Sequence, residues 1–213
     1  VIFVVSVVGF INGRARALQS AGGDARRLHS LPIYYGSNVA LWAVVPAAAT
    51  LIVWLIVQPL LVNSRVVETL PGSLLDEGSS IGLIMSDVRR VAEGLDVAVA
   101  QGALSRDEAA SIGSSSVNIR EFLGSIGVAL GSDVSPEVVA AAQLYRGFNA
   151  TGSALMFLIV LAISAGGAAY AYRRSNADFR ARNVVERGTL GLLIGAASIA
   201  IVTTIGILFA LLF

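Results

Sequence analysis

The sequence has no cysteine and no lysine, and a single histidine, His29. Without thiols there are no disulfides, no thiolate nucleophiles and no cysteine-bound zinc. Without lysine there is no phosphate-binding loop of the Gly-Lys type, no Schiff base and no Ser–Lys dyad. One histidine offers neither a metal cluster nor a Ser–His–Asp arrangement. Charge is also scarce. Only 14% of the 213 residues are charged, against roughly a quarter in a soluble domain. Fifteen arginines nearly balance fourteen acids, giving a net charge of +1, which fits neither a nucleic-acid binder nor an acidic surface. The expectation is therefore no catalytic, cofactor-binding or metal site, and no cofactor.

What is abundant is apolar. Such residues make up 55% of the chain, and the mean hydropathy is +0.77. A membrane-spanning helix needs about 20 consecutive apolar residues. Three runs meet that length without Asp, Glu, Arg or His: residues 37–62, 151–172 and 188–213. A fourth run, residues 1–11 (VIFVVSVVGFI), reaches only about 16 Å at helical rise. No small-residue cleavage site follows it, so it reads as the second half of a truncated spanning helix. The chain opens on Val1 and closes on Phe213 within an apolar run, as expected of part of a longer protein.

Loop charge orients these spans, because arginine close to a span end stays cytoplasmic. The segment 12–36 carries Arg14, Arg16, Arg26 and Arg27 against the single acid Asp24. The segment 173–187 carries five arginines against Asp178 and Glu186. Both are expected in the cytoplasm. The segment between them, 63–150, has six arginines and eleven acids and is expected outside. Tyr34, Tyr35, Tyr170 and Tyr172 sit where an aromatic belt at headgroup level is expected.

The 63–150 segment reads as helical. Ile81, Ile84, Val88, Val91, Leu95 and Ala98 recur three and four apart, and Ala109, Ile112, Ser116, Ile119, Leu123, Ile126 and Leu130 do the same. Each series predicts one amphipathic helix. Ser105-Arg-Asp-Glu108 is a capping-box signal, and Ser135-Pro136-Glu137 a second helix start. The helix from Pro136 is expected to run directly into the span at Thr151. Pro71-Gly72 and Gly131-Ser-Asp read as turns. The fold class is thus an all-α membrane protein with three full transmembrane helices, a truncated first one and a helical insert.

Chemistry within the spans is sparse. No charged side chain offers a proton relay or a voltage sensor. Gly191 and Gly195 form a GxxxG pattern suited to close helix packing. Pro46 lies inside a span and is expected to bend it. The stretch from Arg26 to Gly36 combines basic, aromatic and turn residues. Arg26, Arg27, His29, Tyr34 and Tyr35 are its candidate contacts for a partner or anionic lipid, although charge-driven retention with an aromatic anchor is the plainer account. The arginines of the insert alternate with acids and read as a solvated, ion-paired face.

Ala21-Gly-Gly-Asp-Ala-Arg-Arg-Leu-His-Ser-Leu-Pro-Ile-Tyr-Tyr-Gly36, followed by Val39-Ala-Leu-Trp-Ala-Val-Val-Pro46, resembles the amino-terminal extension of the PstC-type permease subunit of bacterial phosphate ABC importers. The last run, with Val185-Glu186-Arg187 before it and Thr203-Thr204-Ile-Gly206 inside it, looks like the first helix of that permease's core. The resemblance implies a multi-pass protein of the bacterial inner membrane and a periplasmic location for the insert. It also implies three partners: a second permease subunit, cytoplasmic ATPase subunits and a periplasmic phosphate-binding protein. The substrate path lies beyond these residues, and ATP hydrolysis belongs to a partner. Glu108-Ala-Ala-Ser-Ile-Gly113 imitates the loop by which such permeases grip their ATPase. Its spacing is one residue short, and Glu108 is accounted for by the capping box. A rival reading is a membrane receptor with a sensor hairpin; the fifteen residues from Arg173 to Arg187 leave no room for a signalling module between spans.

Overall fold

The computed structural model describes residues 1–71, 80–112, 119–128 and 134–212. Every regular element among them is helical. The helices are α1 (Ile2–Ser20), α2 (Pro32–Thr69), α3 (Ile81–Ala100), α4 (Arg106–Ser111), α5 (Ile119–Ser125), α6 (Pro136–Arg174) and α7 (Ala181–Leu212), with a 3-10 turn at Ala25–Arg27. Three of them, α2, α6 and α7, are long and apolar enough to cross a membrane. The chain divides into two compact units, one of Val1–Ile52 with Phe157–Phe213 and one of Val53–Met156.

In the first unit, glycine sets the spacing of the helices. A side chain on Gly9 meets Val39 Cγ1 at 2.9 Å, and one on Gly13 meets Val39 Cγ2 at 2.7 Å. From the other side, a side chain on Gly36 meets the Phe10 carbonyl oxygen at 2.7 Å. With hydrogen in these places α1 and α2 come into backbone contact, as small residues allow in lipid. α1 does not stop at Ile11. It continues through Arg14 and Arg16 to Ser20, so residues 12–20 of the expected loop are helical. Gly22 and Gly23, at φ +67° and +84°, end it: the Gly23 amide donates to the Leu18 carbonyl at 2.8 Å and the Gly22 amide to Gln19. This is a left-handed glycine termination.

α2 remains helical through Pro46. Proline has no N–H to donate four residues back, so the Trp42 carbonyl loses its helical partner. Gly167 of α6 lies directly against that carbonyl, which leaves no room for a β-carbon at position 167. Thr50 Oγ1 donates to the Pro46 carbonyl at 2.9 Å.

The second unit has a conventional apolar core. Val62 and Val66 of α2, Val88, Val91 and Leu95 of α3, Leu123 of α5, and Val139 and Ala142 of α6 pack together. The α3 residues are those of the three-and-four periodicity. α6 runs unbroken from Pro136 into its apolar stretch, and Ser135 Oγ accepts from the Val138 amide, in line with the start signal. Gln58, a polar residue inside an apolar run, is satisfied within this unit. It accepts from Trp54 Nε1 at 2.7 Å and donates through Nε2 to Asn149 Oδ1 at 2.7 Å. Gly152 leaves space for it, since a β-carbon there lies 2.9 Å from Gln58.

The series from Ala109 to Leu130 does not form one helix. α4 ends at Ser111, and α5 covers only Ile119–Ser125. Gly127 stops α5 at φ +87°, with the Val128 amide donating to Leu123 at 2.8 Å. A glycine in the left-handed region closes the helix despite the apolar periodicity around it. Ser116, Leu130, Gly72, Gly113 and the Gly131-Ser-Asp turn lie outside the described residues. Among the insert's charges, Arg146 Nε pairs across helices with Asp96 Oδ1 at 2.8 Å; the Arg146 side chain is largely buried, whereas that of Asp96 stays exposed.

The capping box at α4 is complete. Ser105 Oγ accepts from the Glu108 amide at 3.1 Å, and Glu108 Oε2 accepts from the Ser105 amide at 2.8 Å. The Ser105 backbone N–H and hydroxyl hold the Glu108 carboxyl below its usual range. A lowered folded-state value means that this stabilisation is present above the unfolded carboxylate pKa and fades as pH falls through the lowered one. Ser105→Ala is expected to destabilise the second unit by about 1 kcal/mol, and the deficit relative to wild type should shrink under acid. Denaturant melts at neutral and acidic pH check this.

Candidate functional site

The two arginine-rich segments fold together. Tyr35, one turn into α2, is fully buried. Its hydroxyl donates to the Phe179 carbonyl at 2.9 Å and also reaches the Ala177 carbonyl at 3.3 Å. The Tyr35 and Phe179 rings lie 6.4 Å apart and tilted by 54°. The His29 amide donates to the Ala177 carbonyl at 3.1 Å, and the Arg182 amide to Ser30 Oγ at 3.3 Å. Ala17 of α1 and Ala181 of α7 complete a small core, with Leu28, Tyr34 and Phe179 packed against it. The end of α1, the start of α2, the segment 175–180 and the start of α7 thus form one platform. Backbone groups that loops normally leave to water are paired here across more than 140 residues of sequence.

Arginine surrounds this platform. Arg14, Arg26, Arg27, Arg173, Arg174, Arg180, Arg182 and Arg187 are exposed. Arg182 is engaged with Glu186, Nε to Oε1 at 2.6 Å. The Arg16 guanidinium lies over the Tyr172 ring at 4.6 Å and that of Arg174 over Tyr170 at 5.0 Å; both are cation–π arrangements. Such a cluster, presented on a fixed scaffold, suits an acidic protein surface or anionic headgroups.

The five candidate contact residues divide between two roles. Arg26, Arg27 and His29 are exposed, and Tyr34 is half-buried. Tyr35 is not a surface contact at all. Its burial and its hydroxyl's two carbonyl partners make it the bolt between segments, a correction to its grouping with the others. The sequence carried no signal for this, because the partner carbonyls lie in a segment with no pattern of its own. The candidate packing residues Gly191 and Gly195 meet nothing: a side chain on either finds no atom within 4 Å, and the apolar stretch of α7 has no buried residue. Close packing within the chain is performed instead by Gly9, Gly13, Gly36 and Gly167. Gly9 and Gly13 are themselves four apart, the same spacing that drew attention to Gly191 and Gly195. Among the described residues, no group of three or more potential metal ligands forms.

Residues 1–169 match the family DUF3708, described as phosphate ATP-binding cassette transporter. Neither the curated proteins nor the solved structures give a match.

Proposed function

The chain belongs to the DUF3708 family of phosphate ATP-binding cassette transporter proteins, and from this premise we propose that it is the amino-terminal part of the membrane permease subunit of an ATP-driven phosphate importer, of the PstC type. The observation that carries the reading beyond the family is the shared platform. Tyr35 and Ser30 tie segment 12–36 to segment 173–187, so the two most basic segments lie on one side of the membrane. The positive-inside rule makes that side cytoplasmic. α1, α2, α6 and α7 then alternate across the bacterial inner membrane, with α1 as the end of a further span and the 63–150 segment as a periplasmic helical insert.

In this reading the insert is a docking or regulatory element for a periplasmic phosphate-binding protein. Arg26, Arg27, His29 and Tyr34 face cytoplasmic ATPase subunits or lipid headgroups. Gly191 and Gly195, which meet no atom within 4 Å among the described residues, pack against the rest of the permease or a second permease subunit. The chain itself performs no hydrolysis, and the transport path is built by residues outside it.

Two measurements on the full-length protein in cells test the proposal together. Replacing residues 63–150 by a short Gly/Ser linker should lower ATP-dependent uptake of radiolabelled phosphate by about tenfold or more, as expected when some 1.4 kcal/mol of productive docking is lost. A photocrosslinking residue at Arg26 or Arg27 should capture the nucleotide-binding subunit. Unchanged uptake with no such crosslink overturns the reading.

A further inference from the structure

In the second unit a chain of hydrogen bonds fixes which way an amide faces. An indole N–H can only donate, and Trp54 Nε1 donates to Gln58 Oε1 at 2.7 Å. The Gln58 nitrogen therefore faces the other way and donates to Asn149 Oδ1 at 2.7 Å. Asn149 in turn has to point its own Nδ2 away from Gln58. Asn149 borders a cavity of about 370 Å³, which is also lined by Asp96 of α3, Arg106 of α4, and Arg146 and Ser153 of α6. With its oxygen taken, the polar edge that Asn149 has left for this cavity is a donor. The volume is at the small end of the range for small-molecule sites.

Arg146 is held in place as well. Its Nε donates to Asp96 Oδ1 at 2.8 Å and its Nη1 to the Ala109 carbonyl at 3.5 Å, and its side chain is largely buried. Its Nη2 is left with hydrogens to donate. Arg106 is exposed and makes no ion pair among the described residues. The hydroxyls of Ser64 and Ser125 turn back onto carbonyls of their own helices; that of Ser153 makes no such bond among the described residues. The lining thus offers two guanidinium groups, an amide and a hydroxyl as donors, which suits an oxyanion. Its acid is Asp96, with Oδ1 taken and the side chain exposed. A carboxylate accepts hydrogen bonds and repels negative charge, so the anion it tolerates is one that brings its own proton. Inorganic phosphate keeps a proton at neutral pH. Sulfate, the phosphodiester of a lipid headgroup and the carboxylate of another protein have none.

We propose that this cavity is a binding site for hydrogen phosphate. The phosphate oxygens accept from Arg106, Arg146 Nη2, Asn149 Nδ2 and the Ser153 hydroxyl, and the phosphate hydroxyl donates to Asp96 Oδ2. The site is made wholly of side chains between residues 96 and 153 and does not depend on the assignment of the chain to a permease. On the permease reading it gives the insert a means of sensing phosphate apart from the transport path.

The test reads the site residue by residue, so its failure is distinct from a failure of phosphate uptake. The full-length protein in phosphatidylcholine nanodiscs is treated with phenylglyoxal, which modifies arginine, and the rate at each arginine is followed by mass mapping. Inorganic phosphate should protect Arg106 and leave Arg90, exposed on α3 and outside the lining, unprotected. Sulfate at the same concentration should protect neither. Asn149→Asp keeps the oxygen that Gln58 holds and turns the donor edge into an acceptor. It should raise the phosphate concentration for half-protection by about tenfold or more, as expected when one charge-assisted hydrogen bond is lost. Asp96→Asn keeps Oδ1 for Arg146 and should let sulfate protect Arg106 as phosphate does. An absence of protection by phosphate, equal protection by sulfate in the wild type, or protection that Asn149→Asp leaves unchanged would each overturn the proposal. So would protection of Arg106 by phosphatidylethanolamine nanodiscs without phosphate, which would give the cavity to a lipid headgroup. A melting temperature like wild type for Asn149→Asp separates loss of binding from loss of fold.

Discussion

Gly167→Val is expected to be among the most damaging single substitutions in the first unit. The new β-carbon has to occupy the space of the Trp42 carbonyl, and that atom belongs to a helical backbone that cannot rotate away like a side chain. α2 and α6 must separate, which costs their packing over several turns. Overpacking of this kind costs about 3 kcal/mol or more, or about 6–12 °C in apparent melting temperature for a chain of this length. Gly166→Val is the internal control. A side chain at Gly166 meets nothing within 4 Å, so this neighbour should stay within about 0.5 kcal/mol of wild type. Thermal melts in detergent compare the two. Equal effects would mean that glycine is needed in this helix for its backbone and not for the approach of α2.

Tyr35→Ala should have an effect of comparable size, and it should be local. It empties a fully buried aromatic position and removes the hydroxyl that the Phe179 and Ala177 carbonyls share, leaving them only the Ala181 and His29 amides. Removing a buried aromatic side chain costs about 3–5 kcal/mol. Tyr35→Phe keeps the ring and removes only the hydroxyl, at about 1 kcal/mol. Tyr34→Phe, one residue away on a half-buried side chain, should be near neutral. Hydrogen exchange separates local from global effects. The His29 and Arg182 amides, which donate across the two segments, should lose protection first, while the α3 amides of the second unit keep theirs. If Tyr35→Ala leaves the exchange of those two amides unchanged, the platform is held by something other than this residue.

The two substitutions also separate two kinds of legibility. Gly167 was invisible because its importance comes from a proline 121 positions earlier in the chain. Pro46 was readable as a helix irregularity, yet nothing in the sequence told which helix would face the carbonyl it frees. The same holds for Gln58, a polar residue in an apolar run whose partner Asn149 lies 91 residues away. The Ser105 capping box, by contrast, joins groups three residues apart and was fully legible. The long apolar series in the insert misled in one respect: periodicity extends over a glycine without registering that Gly127 turns the chain into the left-handed region.

By itself the sequence determined the class of the protein and its local elements. Long uncharged runs set the helices that can span a membrane, because buried backbone in lipid must satisfy itself. Helix starts at Ser105 and Pro136 followed from groups a few bonds apart, and arginine-rich segments set the orientation to expect. Only the tertiary structure decided which glycines make contacts and that Tyr35 is a bolt and not a contact surface. The reason is physical. Periodicity and capping depend on neighbours within one helical turn, whereas lipid-facing and helix-facing surfaces are equally apolar here. Pattern cannot tell them apart, and the choice between them is made by shape, where one backbone can approach another.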